Sequence, residues 1–151
     1  EAVENPGEIY QVSNKRIMFK VEGDWLWMRL PSGRRLAYYK PQIEETHRGP
    51  KLTFMGTDTY TRQWGRTSTY GGKLVENAVQ AIARDLLLHS MLNLEKADFQ
   101  IVGTVHDEVI LEVEKGFATL EEAKEIMVRT PKWGRGIPVA TDAFEAERYR
   151  K

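Results

Sequence analysis

Short runs of largely apolar residues are separated by polar turn sequences in the first third of the chain. Three β-rich runs, at 17–21, 25–30 and 34–39, are separated by turn sequences that contain glycine or proline. This pattern predicts an antiparallel β meander over residues 16–40. A further short strand is expected at 52–55, and residues 137–140 are expected to form a last strand.

The spacing of apolar residues becomes helical in the middle of the chain. No proline interrupts residues 70–96, and Val75, Val79, Ile82 and Leu86 recur at a spacing that places them on one helix face. Three further apolar residues widen this stripe: Leu74, Ala78 and Ala81. We therefore predict a long helix over 70–96 whose apolar stripe faces the core. The capping candidates before it are Thr67, Ser68 and Thr69.

Two apolar runs then flank the triplet His106-Asp107-Glu108, which predicts a β hairpin over 99–114 with a charged apex. A rigid apex of this kind suits a metal or phosphate site, but charged turns are usually just solvated, and the triplet alone leaves the two interpretations even. A second helix is predicted over 119–130, because Thr119 and Glu122 have the spacing of a capping box.

Composition narrows the classes of protein. The 151 residues include 22 basic and 22 acidic ones, so the net charge is zero, which argues against a dedicated nucleic-acid coat. The absence of cysteine excludes disulfides, thiolate metal sites and cysteine nucleophiles. No apolar run approaches the ~20 residues of a membrane span, and no signal peptide opens the chain, so we expect a soluble intracellular protein.

The polar face of the long helix is a candidate nucleic-acid contact. Lys73, Asn77, Gln80 and Arg84 recur at helical spacing, and cations with amides can grip phosphates and hydrogen-bond base edges or sugars. A solvated helix face is the alternative, and on this stripe alone it is favoured.

The carboxylates of the hairpin are candidate metal ligands. Asp107 could ligate an oxygen-seeking cation such as Mg²⁺, and Glu108 is the local candidate for a second ligand. Adjacent strand residues point to opposite faces, so a complete site is expected to take another carboxylate from elsewhere. His106 could contact phosphate, brace the turn or ligate a metal, the last being least favoured.

Two further groups of residues in the meander are candidates for nucleic-acid contact. The aromatic residues could stack bases, although their β spacing favours core and hairpin packing; they are Trp25, Trp27, Tyr38 and Tyr39. Arg34 and Arg35 could meet phosphate, and a solvated hairpin arm explains them nearly as well.

Three stretches together resemble the family A DNA polymerases, most closely the bacteriophage-type members. They are Leu-Pro-Ser-Gly-Arg-Arg-Leu at 30–36, Thr-Tyr-Gly-Gly-Lys-Leu-Val-Glu-Asn-Ala-Val-Gln-Ala-Ile-Ala-Arg-Asp at 69–85, and Val-His-Asp-Glu-Val at 105–109. The similarity runs from about residue 16 to the C-terminus. It implies that residues 1–151 are a single C-terminal portion of the polymerase palm.

The resemblance also implies roles for individual residues. Asp107 would be one of two metal-binding aspartates in a two-metal nucleotidyl transfer, Glu108 would support the metal site and primer terminus, and His106 would contact the primer strand. The long helix would follow the minor groove of primer–template DNA, with Asn77 and Gln80 matching the family's amides. The implied cofactors are two Mg²⁺ ions, and the implied substrates are deoxynucleoside triphosphates.

The family's first palm motif, with the other metal-binding aspartate, and its fingers helix have no counterpart in these 151 residues. We therefore expect an α+β palm fragment: a small antiparallel sheet with a carboxylate-bearing hairpin, packed against a long helix and a shorter helix. It would belong to a cytoplasmic replication enzyme encoded by a bacterial host or prophage. Alone it should be inactive, because an upstream part of the same polypeptide would supply the missing groups. The alternative is a non-catalytic nucleic-acid-binding module with a palm-like fold.

Overall fold

The computed structural model describes residues 1–47, 49–59 and 61–149. The chain forms two compact units, residues 1–82 and residues 83–151. Both α-helices and antiparallel sheets are present, which confirms the α+β class with one long and one shorter helix. Among the described residues, no helix has the length and apolar character needed to cross a membrane.

The first unit is a six-stranded antiparallel meander with its strands in chain order, and so it is larger than the predicted small sheet. The strands are β1 (Tyr10–Val12), β2 (Ile17–Glu22), β3 (Trp25–Arg29), β4 (Arg35–Thr46), β5 (Gly49–Thr57) and β6 (Trp64–Thr69). Tight turns join the central strands, and Gly33 adopts a φ of +91° between β3 and β4, a conformation that favours glycine. The strand predicted at 52–55 is the middle of β5.

The core of the first unit lies on one face of this sheet. Side chains alternate between the two faces of a strand, so every second residue of a central strand contributes to this core. Val21, Leu26, Met28 and Tyr38 are buried there against Ala78 and Ala81 of helix α1 (Gly71–Lys96). The predicted caps Thr67, Ser68 and Thr69 instead belong to β6, so that prediction was wrong.

The predicted apolar stripe of α1 was also partly wrong. Val75 and Val79 are 63% and 60% exposed, whereas Ala78 and Ala81 are buried. Leu74 and Ile82 are partly buried against the same cluster. Small side chains therefore line the face of α1 that packs on the sheet, and the β-branched valines lie outside it.

The second unit contains the rest of α1, the hairpin β7 (Gln100–Val105) and β8 (Glu108–Glu112), and helix α2 (Leu120–Met127). The hairpin forms a two-stranded sheet of its own. A buried cluster of Leu94, Phe99, Ala123 and Ile126 joins α1, the start of β7 and α2. Residues 137–140 are irregular, so the predicted last strand is wrong; Pro138 lacks the N–H that a strand interior would donate.

Candidate functional site

The turn of the β7–β8 hairpin contains two residues. Val105 pairs with Glu108, which leaves His106 and Asp107 as the central turn positions. His106 has a φ of +54°, and Asp107 does not have a positive φ, the pattern of a type II′ turn that glycine usually begins. An L-residue in this region costs about 1–2 kcal/mol, and such strained positions cluster at functional sites.

The base of the hairpin is anchored, and its apex is open. Ile101, Val109 and Leu111 pack against the buried cluster of the second unit, whereas all three residues of the His-Asp-Glu triplet are exposed. The hydrophobic contacts therefore fix the strands, and the turn presents two carboxylates and an imidazole to solvent.

Tyr149 contacts the apex from the C-terminal segment. Its hydroxyl donates a 3.3 Å hydrogen bond to Oε2 of Glu108. Desolvation raises the pKa of Tyr149, and the nearby Glu108 carboxylate raises it further, so the hydroxyl remains a donor. No local sequence pattern predicts this contact, because 41 residues separate the partners.

The apex offers suitable donor atoms for Mg²⁺ but too few of them. Carboxylate oxygens are the ligands that this hard cation prefers, and Asp107 and Glu108 supply them. Within residues 1–47, 49–59 and 61–149, no group of three or more His, Cys, Asp or Glu side chains could hold a metal ion. The predicted ligands therefore fit a metal site in chemistry, and its remaining ligands would have to come from outside these residues.

Two residues of the predicted polar stripe share an acidic neighbour on α1. Lys73 Nζ lies 2.9 Å from Glu76 Oε1, and Gln80 Nε2 donates to the same oxygen at 3.3 Å. All three side chains are exposed. The stripe thus includes a carboxylate that the predicted set of contacts did not contain.

Asn77 and Arg34 join α1 to the sheet. The Asn77 amide donates a 3.2 Å hydrogen bond to the hydroxyl of Tyr38. Arg34 Nη2 donates at 2.8 Å to the carbonyl oxygen of Ala81. Both residues that were predicted to contact DNA therefore have a structural role within the first unit.

The other two predicted cations have different surroundings. The Arg35 guanidinium lies 4.5 Å from the ring centre of Trp27 and 3.8 Å from a carboxylate oxygen of Glu22. Arg84 is an exposed residue in the part of α1 that belongs to the second unit. The hairpin triplet belongs to the same unit. The predicted DNA contacts on Lys73, Asn77, Gln80, Arg34 and Arg35 all belong to the first unit.

Comparison with known proteins gives one informative similarity. The chain is 43% identical over 137 residues to the DNA polymerase of Bacillus phage SP02, and the similar region is 89% of this chain. The chain spans about a fifth (21%) of that polymerase's length. No family model matches the chain, and no solved structure does.

Proposed function

We propose that this chain is part of a DNA-directed DNA polymerase and that its hairpin contributes Asp107 to a two-magnesium nucleotidyl transfer site. The similarity to the phage SP02 DNA polymerase, over 89% of the chain, is the observation that carries this proposal. The three motif stretches support the finer proposal that the chain is part of the palm of a family A polymerase. Primer–template DNA and deoxynucleoside triphosphates would be the substrates.

The hairpin would act by holding its charged groups in place. Asp107 would offer a carboxylate at the end of two strands that are packed at their base, so little ordering is needed when a cation binds. Tyr149 would restrict the Glu108 carboxylate through its hydrogen bond. Bound divalent ions would stabilise the charge that develops as the primer 3′-hydroxyl attacks the incoming nucleotide.

The remaining predicted residues would hold DNA. His106 at the apex would donate to a phosphate of the primer strand. Lys73 and Gln80, with Glu76 between them, would face the minor groove, and Arg84 would contact phosphate. Because the Asn77 amide group donates to Tyr38, its contribution to DNA binding would come from the side-chain oxygen.

A non-catalytic nucleic-acid-binding module is the second candidate. It is favoured by the described residues' lack of a group of three metal ligands. Such a module would bind DNA without any need for a divalent ion.

Primer extension tests the proposal and separates the two candidates. The natural polypeptide that contains these residues, and the 151-residue chain alone, are each incubated with a labelled primer–template, deoxynucleoside triphosphates and Mg²⁺. We expect template-dependent extension by the natural polypeptide and none by the chain alone. Binding of primer–template without extension by either protein would favour the binding module, and neither binding nor extension would refute both candidates.

A further inference from the structure

Trp25, Trp27 and Tyr39 lie on the face of the six-stranded sheet opposite the core. With two cations they form a row of five adjacent side chains: Arg35, Trp27, Trp25, Tyr39 and Lys40. Their successive separations are 4.5 Å from the Arg35 guanidinium to the Trp27 ring, 5.7 Å from Trp27 to Trp25, 4.7 Å from Trp25 to Tyr39, and 5.5 Å from Tyr39 to Lys40 Nζ. We call these residues the aromatic row. It has a cation at each end and three rings between them.

The strand register explains the position of the aromatic row. Trp25 pairs with Tyr39 and Trp27 pairs with Ala37 across β3 and β4, so these side chains share one face of the sheet. Leu26, Met28 and Tyr38 alternate with them and are buried on the other face. The sequence-based interpretation was core and hairpin packing. Tyr38 is a core residue, whereas Trp25, Trp27 and Tyr39 pack against one another within the β3–β4 hairpin and not in the core.

Three members of the row are exposed, whereas Trp27 and Tyr39 are half-buried. Trp25, at its centre, is 39% exposed, the Arg35 side chain is 52% exposed, and Lys40 is also an exposed residue. The Arg35 guanidinium is held by Trp27 and by the 3.8 Å pair with Glu22. Contacts of this kind at a surface are weak and exchangeable, so a ligand can compete for the ring and for the cation.

The charge of the first unit complements a polyanion. Residues 1–82 contain 12 Lys and Arg against 9 Asp and Glu, whereas residues 83–151 contain 10 against 13. The zero net charge of the chain is therefore the sum of a positive first unit and a negative second unit. Glu22 is the carboxylate beside the row, and Lys20 already pairs with it at 2.7 Å.

We propose that the aromatic row binds single-stranded nucleic acid, with unpaired bases stacking on its rings and phosphates contacting Arg35 and Lys40. Aromatic side chains stack on any unpaired base, and cations beside them track the backbone. A duplex keeps its bases stacked inside the helix and does not offer their faces. The row belongs to the first unit and the hairpin to the second, and this binding uses neither Asp107 nor nucleotidyl transfer.

Fluorescence gives a direct test with the full 151-residue chain. The double variant Trp64→Phe, Trp133→Phe leaves Trp25 and Trp27 as the emitting tryptophans. We expect a 20-nucleotide oligo(dT) to quench their emission saturably. A duplex of equal length should bind with an affinity at least about tenfold lower in the same titration. Absence of saturable quenching by oligo(dT) would overturn the proposal without bearing on polymerase activity.

Anisotropy of a labelled oligo(dT) gives the energetic test. Trp25→Ala with Trp27→Ala should weaken binding at least about tenfold, and Arg35→Ala should lower the slope of log affinity against log salt by about one. The matched controls are Trp64→Ala, an exposed tryptophan on β6 outside the row, and Lys132→Ala in the second unit; each should remain within about twofold of the unsubstituted chain.

Folding and nonspecific attraction are controlled separately. Trp25→Phe keeps a ring in the row and should retain most of the binding, so loss in Trp25→Ala but not in Trp25→Phe assigns the effect to stacking. Equal binding by the double alanine variant, or affinity for heparin equal to that for oligo(dT), would show attraction by charge alone and would overturn the proposal.

Discussion

The Asn77 side-chain amide donates a 3.2 Å hydrogen bond to the hydroxyl of Tyr38, which is only 5% exposed. Burial raises the pKa of Tyr38, and the bond from Asn77 opposes this shift. A residue predicted from sequence to contact DNA thus supports the core of the first unit. Its substitution would therefore affect the stability of the first unit.

Asn77→Ala should lower the free energy of unfolding by about 1–3 kcal/mol, because a buried hydroxyl loses its partner. Urea unfolding of Asn77→Ala, Tyr38→Phe and the double variant measures this. The double variant should lose about 1 kcal/mol less unfolding free energy than the two single variants lose in sum. Strict additivity would show that the bond does not contribute.

His106→Gly should stabilise the hairpin while impairing polymerase activity. Glycine adopts the φ of +54° without the clash of a Cβ, so the free energy of unfolding should rise by up to about 1 kcal/mol. Urea unfolding and primer extension by the natural polypeptide measure the two effects. Reduced stability would show that the imidazole makes contacts worth more than the strain, and unchanged extension would remove His106 from the DNA contacts.

Thr119→Ala should destabilise the chain by about 1 kcal/mol, because it breaks the capping box of α2. In that box Glu122 N donates to Thr119 Oγ1 at 3.2 Å, and Thr119 N donates to Glu122 Oε2 at 2.7 Å. Thermal unfolding at pH 7 measures the loss. Glu121→Gln is the control, since it changes a neighbouring carboxylate outside the box.

The capping box also predicts a pH dependence. The Thr119 backbone bond, followed by its side-chain bond, lowers the pKa of Glu122 below the ordinary 4.5. The unfolded chain therefore takes up this proton first as pH falls, and stability from the box is present above pH 4.5 and lost below it. The difference in stability between the unsubstituted chain and Thr119→Ala should shrink in acid; a constant difference from pH 7 to pH 3 would contradict this.

Val79→Lys should change the free energy of unfolding by less than about 0.5 kcal/mol, because Val79 is 60% exposed and lysine favours helix at least as well as valine. Ala78→Lys, one position earlier, should prevent folding, because Ala78 is 3% exposed in the core. Circular dichroism and urea unfolding compare the pair. A loss above about 2 kcal/mol in Val79→Lys would mean that the valine stripe is covered after all.

The sequence predicted best what local periodicity and turn chemistry determine. The hairpin, the meander and both helices follow from such patterns, and the capping box of Thr119 and Glu122 is present. The faces were harder to predict. Both faces of β3 carry large apolar residues, so alternation alone could not show that Trp25 lies outside the core and Leu26 inside it. On α1 the predicted stripe included the buried Ala78 and Ala81, but the helical period did not show that Val75 and Val79 lie outside the contact with the sheet.

Contacts between residues far apart in the chain were not predicted from the sequence. The amide of Asn77 was placed on a polar stripe, yet its partner is Tyr38, 39 residues away. Tyr149 likewise reaches Glu108 across 41 residues. The role predicted for Asp107 in metal binding stays a prediction.

A single-turnover measurement of nucleotide incorporation by the natural polypeptide tests directly whether Asp107 binds the catalytic metals. Asp107→Asn keeps the size of the side chain and removes the charge, and Glu112→Gln makes the equivalent change at an exposed position of β8. If Asp107 binds the catalytic metals, several kcal/mol of transition-state stabilisation are lost, so its variant should be slower by about 1,000-fold or more. Glu112→Gln should remain within about twofold. Incorporation by Asp107→Asn at the rate of the unsubstituted polypeptide would show that Asp107 does not bind the catalytic metals.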